Sequence, residues 1–393
     1  MNKLKGLSLF ANIGVAEALL EEIGVEVKIA NELDERRARF YKHLYPETEM
    51  ITGDITREEV YYEIINKAKE AEIDFIMATP PCQGMSTVGK KDPTDPRNQL
   101  ISYALKAIID LKPMFVLLEN VPRQNKTKVR FNDKEILIPD FIKSLLSSDY
   151  HINDTVLNVA DFGVPQNRER SIFLLTRKDI KFIWEFPEKE NSPIITLEDA
   201  IGHLPSLDPL IQGYKMEEIL KVFPDFLNKK KEGEAVSKWH TPPKHKIRHI
   251  EVMMYTPEGK SALENDEFYP KKVSGERIVG FKNTYKRQWW DKPAYTVTTY
   301  NGAVCSHDNV HPGRPVSADK YGRTIYSDPR VLSIYELLIV MSLPLNWNIP
   351  EWADESVIRH SIGEGIPPLM VKKLFRMITN SSDKIERRHI VNV

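Results

Sequence analysis

The first 180 residues alternate short apolar runs with stretches whose apolar positions recur at helical spacing. Leu7–Phe10, Val27–Ala30, Ile73–Ala78, Met114–Leu118, Thr155–Val159 and Ser171–Leu175 have the length and bounding residues of strands. Between them, Val15–Ile23, Asp34–Leu44, Arg57–Ala71, Arg97–Leu111 and Pro139–Leu146 read as helices. Strand alternating with helix predicts an α/β fold with a doubly wound, mostly parallel sheet covered on both faces. From about Asp179 the rhythm breaks, and residues 180–330 carry prolines, aromatics and scattered charge with few helical faces. Helical character returns at Leu332–Met341 and Pro367–Met377. The simplest organisation has three parts: an α/β domain over 1–178, a smaller, irregular mixed domain over 179–330, and a segment, 331–393, that returns to complete the first.

Composition changes this picture little. A chain of 393 residues suits two domains, and 41% hydrophobic with 28% charged residues is ordinary for a globular protein. Two cysteines, Cys82 and Cys305, exclude a disulfide framework and point to a reducing compartment. No apolar run is long enough for a signal peptide or a membrane span, so a cytoplasmic location is expected.

Charge is more informative. The sum of 55 Lys+Arg and 56 Asp+Glu is −1, which argues against a wholly basic nucleic-acid binder. Yet residues 1–75 hold 10 Lys+Arg against 16 Asp+Glu, a net of −6, and residues 271–330 hold 11 against 5, a net of +6. Lys238–His249 and Arg123–Arg130 are further basic runs. Any one of them alone reads as a solvated surface; several together, interleaved with Trp239, Trp289 and Trp290, favour a phosphate-contacting face.

The candidate chemistry sits at predicted strand ends. Leu7–Gly14 is a strand feeding a tight turn, where doubly wound folds hold a nucleotide-like ligand. The second strand ends at Glu32, a carboxylate able to accept from both hydroxyls of a ribose, and Asp54 follows at a third strand end. Singly, each acid reads equally well as a cap or turn residue. Asp74–Ser86 (DFIMATPPCQGMS) sets Cys82 just past a strand, between a stiff Pro80-Pro81 and Gly84, a placement that suits a nucleophile better than a buried core thiol. Glu119 ends the next strand, where desolvation would keep it protonated, and Arg168 and Arg170 alternate onto one face of a later one.

At these residues the chain resembles the DNA (cytosine-5)-methyltransferases of bacterial restriction–modification systems. PPCQG resembles the family's nucleophile loop, ENV its base-binding turn and QNRER its arginine motif; LFANIG, NELD and GDI resemble its S-adenosylmethionine turns. WDKPAYTVT, His311-Pro312, LSIYELLIVMSLP and SIGEGIP resemble the later blocks, in the right order over nearly the whole chain. The resemblance implies a Rossmann-like catalytic domain with a target-recognition domain as the insert. It implies that Cys82 attacks carbon 6 of a cytosine flipped out of the duplex, that protonated Glu119 holds the ring, and that Arg170 with Arg168 holds the base carbonyl and nearby backbone. For the cofactor it implies Phe10 on adenine, Ala11, Asn12, Ile13 and Gly14 in the turn, Glu32 on the ribose and Leu33 against adenine. Asp54 and Ile55 would bracket the adenine edge, Pro80 and Leu100 would line the pocket, and Glu364 and Gly365 would lie at the methionine end. Partners so implied are double-stranded DNA and a cognate restriction endonuclease acting on the same site, with the enzyme itself a monomer and away from membranes.

The chain departs from the family pattern at Ser8 (usually Asp), Asn12 and Val15 (usually Gly), Tyr335 (usually Arg), Glu364 (usually Asn) and Gly365 (usually a small polar residue). Competing readings are a DNA-binding relative without activity, a tRNA cytosine methyltransferase and a nicotinamide dehydrogenase. Cys82, Glu119 and Arg170 together argue against the first. An insert of roughly 150 residues argues against the second. The thin glycine cluster and PPCQG argue against the third. No metal requirement is expected: His240, His245 and His249 lack a cysteine or acid partner nearby, and Cys305 with His307 reads as incidental.

Overall fold

A computed structural model describes residues 3–81, 99–131 and 134–381. Seven strands form the central sheet: β1 (Leu4–Leu9), β2 (Val25–Glu32), β3 (Glu49–Thr52), β4 (Phe75–Ala78), β5 (Phe115–Asn120), β6 (Tyr150–Asn158) and β7 (Glu169–Arg177). Their order is β3-β2-β1-β4-β5-β7-β6. The first five are parallel, and β7 runs antiparallel to both β5 and β6. The order reverses between β1 and β4, which opens a crevice beyond their carboxyl ends.

Four helices, α1 (Glu35–Leu44), α2 (Glu58–Glu70), α3 (Leu100–Leu111) and α4 (Ile138–Leu146), follow the sequence pattern closely. β4 and β5 are buried along their whole length because both faces of the sheet are covered. Ile76, Ala78, Val116 and Leu118 face the layer of α2, α3 and α4. Phe75, Met77, Phe115 and Leu117 face Trp184 and the chain's last helix.

The chain's return supplies α5 (Ile334–Val340), α6 (Glu355–Glu364) and α7 (Pro368–Thr379). α7 explains one departure from the sequence reading. Val15–Ile23, expected as a helix, is a run of turns ending in a short 3-10 helix at Glu21–Ile23. The sheet face it would cover is taken by Met370, Val371, Leu374, Phe375 and Ile378, which pack against Val25, Phe75 and Trp184. Tertiary packing thus overrides a sequence of good local helix formers.

Within that turn Glu17 is buried, accepting a 2.6 Å hydrogen bond from Ser8 Oγ. Burial pushes its carboxyl up to about 7. Between the ordinary 4.5 and about 7 the native state holds a proton that the unfolded chain releases, so stability is full at the acid end and falls as pH rises through that window. Glu17→Gln keeps the shape of the neutral acid. It is expected to flatten this dependence and to raise stability at pH 8 by on the order of 2 kcal/mol, read by urea denaturation across pH. An unchanged pH profile would refute the assignment.

Residues 179–330 contain short helices at Leu197–Ile201, Met216–Val222, Phe226–Val236 and Ile247–Met254, a two-residue ladder of Leu210–Ile211 with Lys244–His245, another of Ala294–Tyr295 with Gln166–Asn167, and a hairpin of Pro315–Ala318 with Thr324–Tyr326. Two small apolar clusters hold this part together, one around Met253, Tyr285 and Val310 and one around Ile219, Phe226 and Ile250. Its flanks, Leu197, Ile201, Ala294 and Val297, instead join Ile13, Phe40 and residues of α5 and α6.

Buried charge does much of the remaining work. Arg287 donates to the carbonyls of His311, Asp328, Met253 and Ser327. Gly313 leaves it room: a Cβ there would lie 2.3 Å from Arg287 Nη1. Arg330, fully buried, pairs at 2.7 Å with Asp328 and at 2.7 Å with Glu336, which also caps α5 through Ser333. Tyr335, where the resemblance expects an arginine, sets its ring 6.0 Å from that of His240 at a tilt of 59°. Arg330→Met leaves two buried carboxylates without their cation and should lower unfolding free energy by about 3 kcal/mol in urea denaturation. A loss below about 0.5 kcal/mol, the scale of an ordinary surface substitution, would show the pair to be dispensable.

The histidines are committed to packing. His240 contacts Ser333 Oγ at 3.0 Å and the Pro205 carbonyl at 2.9 Å, and His245 Nε2 accepts from Val331 N–H at 3.2 Å. Burial pulls His245 down to about 3 and His249 to about 4, so neither is charged at neutral pH. Among the described residues no three His, Cys, Asp or Glu side chains gather as a metal site would require, and no helix is long and apolar enough to cross a membrane.

Candidate active site

Sheet register brings the candidate residues to one edge. Leu9 pairs with both Asn31 and Ala78, and Ala78 with Leu118, so Phe10, Glu32, Thr79-Pro80 and Glu119 all emerge together. Because β7 is antiparallel, its start lies at the same edge: Ile172 stands opposite Glu119, and Arg170 is two residues before it.

On the β1–β2 side the chain makes a strained turn. Phe10 and Asn12 adopt positive φ (59° and 53°), a conformation that asparagine tolerates and phenylalanine adopts only under constraint. Gly14, at φ 82°, is required: a Cβ would lie 2.1 Å from the Tyr45 ring. Ala11 N–H donates to the Asn31 carbonyl at 2.9 Å, tying the turn to β2, while Ile13 is fully buried against α5 and α6. Glu32 is buried and accepts from the N–H groups of Asn12 and Asp34, each at 2.9 Å. Burial raises its pKa, against the pull of those amides and of Arg37. Leu33 stands 65% exposed beside it, an apolar ledge at the mouth of the crevice. Asp54 accepts from Thr56 N–H at 2.9 Å, and Ile55 is buried with Val60 and Tyr61. Leu100, at the start of α3, is half-buried.

The far wall comes from the chain's return. Asn12 Nδ2 donates to the Ser361 carbonyl at 2.9 Å. Asn12 Oδ1 and Ser361 Oγ are buried there without a protein hydrogen-bond partner, polar atoms that a polar ligand in the crevice would satisfy. Glu364, ending α6, pairs with Arg37 at 2.8 Å and His360 at 3.0 Å, and Gly365 packs against Val15.

On the β5–β7 side Glu119 is buried, its Oε1 2.7 Å from Arg170 Nε. Burial raises the Glu119 pKa, while Arg170 and then Arg168 oppose the rise. Glu119 thus has the desolvation expected at a buried strand end and an arginine partner as well. The structure also separates the two arginines. Arg170 faces Glu119, whereas Arg168 donates to the carbonyls of Val297 (2.8 Å), Gly363 (2.9 Å) and Gly365 (2.8 Å), strapping the insert's flank and the α6 end to β7.

Cys82 lies outside the described residues, but its approach is described. Pro80 is buried, and its carbonyl accepts from Asn120 Nδ2 at 2.9 Å while Asn120 Oδ1 accepts from Val121 N–H. Asn120 therefore pins the start of that loop to the Glu119 turn. Gln166 does similar work, accepting from Val297 N–H and donating to the Val340 carbonyl. Neither role has a sequence signature beyond membership of ENV and QNRER, and Arg37 has none.

Arg170 and Pro122 also line an open cavity of about 610 Å³, together with Tyr295, Thr298, His307 and Asp308. Sheet edge and basic segment thus face each other across it.

Comparison with known proteins agrees along the whole chain. Residues 4–380 match the C-5 cytosine-specific DNA methylase family. The Type II methyltransferase M1.HgaI of Avibacterium volantium is 39% identical over 384 residues, 96% of this chain and 99% of that protein. Among solved structures, a prophage-encoded protein of E. coli assigned as a DNA modification methyltransferase superposes with TM-score 0.64 at 19% identity, covering 97% of this chain and all of that one. The Entamoeba histolytica methyltransferase EhMeth gives TM-score 0.60 at 15% identity over 98% of this chain and all of that one. At these identities the structures speak to the fold alone.

Proposed function

The chain belongs to the C-5 cytosine-specific DNA methylase family, and from that premise we propose how its residues make 5-methylcytosine in double-stranded DNA as the modification enzyme of a restriction–modification system. The observation that carries the reading is the buried Glu119–Arg170 pair, set at the sheet edge beside a cavity shared with the insert.

S-Adenosylmethionine supplies an electrophilic methyl group on a sulfonium. The strained turn at Phe10–Gly14, Glu32 and the unsatisfied Asn12 Oδ1 and Ser361 Oγ fit such a ligand, with Leu33, Asp54, Ile55, Pro80 and Leu100 around its adenosine and the 361–365 turn, whose Glu364 is itself paired with Arg37 and His360, at its other end. In the base pocket the Cys82 thiolate adds to carbon 6 of the flipped cytosine. That addition moves the C5–C6 π pair to carbon 5, and Glu119, protonated, stabilises it by donating its proton to ring nitrogen 3. Carbon 5 would then take the methyl group as the methyl–sulfur bond breaks, its electron pair staying on sulfur so that S-adenosylhomocysteine leaves. Loss of the carbon 5 proton to solvent re-forms the C5–C6 double bond and expels the Cys82 thiolate, and the nitrogen 3 proton returns to Glu119. Arg170 holds Glu119 and the base carbonyl, and Arg168 fixes the wall behind them.

In this reading residues 1–178 and 331–393 form the catalytic domain and 179–330 the target-recognition domain. DNA lies in the cleft between them, against the segment of net +6. Bisulfite sequencing of plasmid DNA from cells expressing the protein tests activity and reads the site in one experiment. Protected cytosines at one short motif are expected; a fully converted plasmid would overturn the proposal.

A further inference from the structure

Glu364 is an acid at the carboxyl end of α6, where the helix dipole disfavours negative charge, and the family usually has an uncharged residue there. Its surroundings account for it. One oxygen is 2.8 Å from Arg37 Nη1, the other 3.0 Å from His360 Nε2, and these partners hold its carboxyl below the ordinary value despite burial. Arg37 is the third residue of α1, directly after the Glu32 turn, and both Arg37 and Glu364 act electrostatically on Glu32. The pair is three-quarters buried on each side, unlike a solvated surface bridge. The same turn is held from behind by Arg168 on the Gly363 and Gly365 carbonyls and from below by Asn12 on the Ser361 carbonyl. The Arg37–Glu364 bridge crosses from α1, beyond Glu32, to the end of α6.

We propose that Arg37 is a positioning residue for the cofactor: its bridge to Glu364 clasps the 361–365 turn across the mouth of the crevice, and Glu364 serves as the anchor of that clasp and not as a ligand of the cofactor's ammonium group. The inference rests on the cofactor reading given above. It explains why an acid is tolerated at 364: the charge is neutralised by a residue that the first domain brings to it.

The test is calorimetric binding of S-adenosylmethionine and S-adenosylhomocysteine to the full chain, without DNA, for wild type, Arg37→Ala, Glu364→Ala, the double variant and the charge exchange Arg37→Glu/Glu364→Arg. A clasp predicts that both single variants raise Kd by about tenfold, a step of about 1.4 kcal/mol. The double variant should be no worse than either single one, and the exchange should recover most of the loss. KM for the cofactor should rise with kcat little changed. A direct ligand role for Glu364 predicts instead that Glu364→Ala alone weakens binding, with no rescue by exchange. That result, or Kd values within twofold of wild type in both single variants, would overturn the clasp. Failure of the wild type itself to bind either compound would overturn the cofactor reading and is distinguishable from both.

Discussion

Cys82→Ala should abolish methyl transfer, with turnover falling by about 10⁴-fold or more, because in the proposed mechanism the bond from its sulfur to carbon 6 is what makes carbon 5 a nucleophile. Pro80 is held by Asn120 from the Glu119 turn, so the chain is delivered to residue 82 from a fixed point at the sheet edge. A second readout separates lost chemistry from lost folding. On DNA carrying 5-fluorocytosine at the target, the wild type should form a complex stable to denaturant, since fluorine at carbon 5 blocks the proton loss that releases Cys82. The alanine variant should form none, while its melting temperature and its affinity for unmodified target DNA stay near wild type. Measurable turnover in Cys82→Ala, or a covalent complex formed without that thiol, would end the mechanism.

The acidic start and basic 271–330 segment explain why net charge misleads for this protein. The overall −1 hides a net of −6 over residues 1–75 and +6 over residues 271–330; in the proposed reading the first serves the cofactor through carboxylates such as Glu32 and the second faces polyanionic DNA. Charge has to be read by region: the cavity lined by Arg170, Tyr295, Thr298, His307 and Asp308 sets the start of β7 against the 271–330 segment and includes nothing from the acidic residues 1–75.

What could be read from sequence was what depends on short-range pattern. β4 and β5 are buried on both faces and so appear as unbroken apolar runs, and α1 to α4 have one apolar stripe each. Glu119 and Arg170 were visible because each stands at the end of such a strand. The Val15–Ile23 segment misled because its fate is decided by α7, more than 340 residues further on in the chain. Arg168 is comparable: its place beside Arg170 follows from strand alternation, but its partners Val297, Gly363 and Gly365 lie 129 to 197 residues away. The Arg330 cluster and the Arg37–Glu364 bridge are likewise products of tertiary meeting, without a local signature.

Glu119→Gln should lower kcat by about 10³-fold while leaving DNA affinity near wild type. The carboxylic acid must donate to ring nitrogen 3 as charge develops there, and an amide is a far weaker acid in the same position. The structure frames the expectation about pH. Burial raises the Glu119 pKa, but Arg170 at 2.7 Å pulls the other way, so the free enzyme holds the residue between two influences. A cytosine entering the pocket excludes water and offers ring nitrogen 3 as an acceptor, both of which favour the protonated form. The proton is lost as pH rises, so activity limited by Glu119 falls on the alkaline side, and that limb should be missing from the Glu119→Gln profile. Arg170→Lys gives the complementary result. With the Nε contact to Glu119 lost, the opposing charge is less well placed, so the alkaline limb should move to higher pH even as kcat falls. An alkaline limb unchanged in both variants would show that a different group carries the proton.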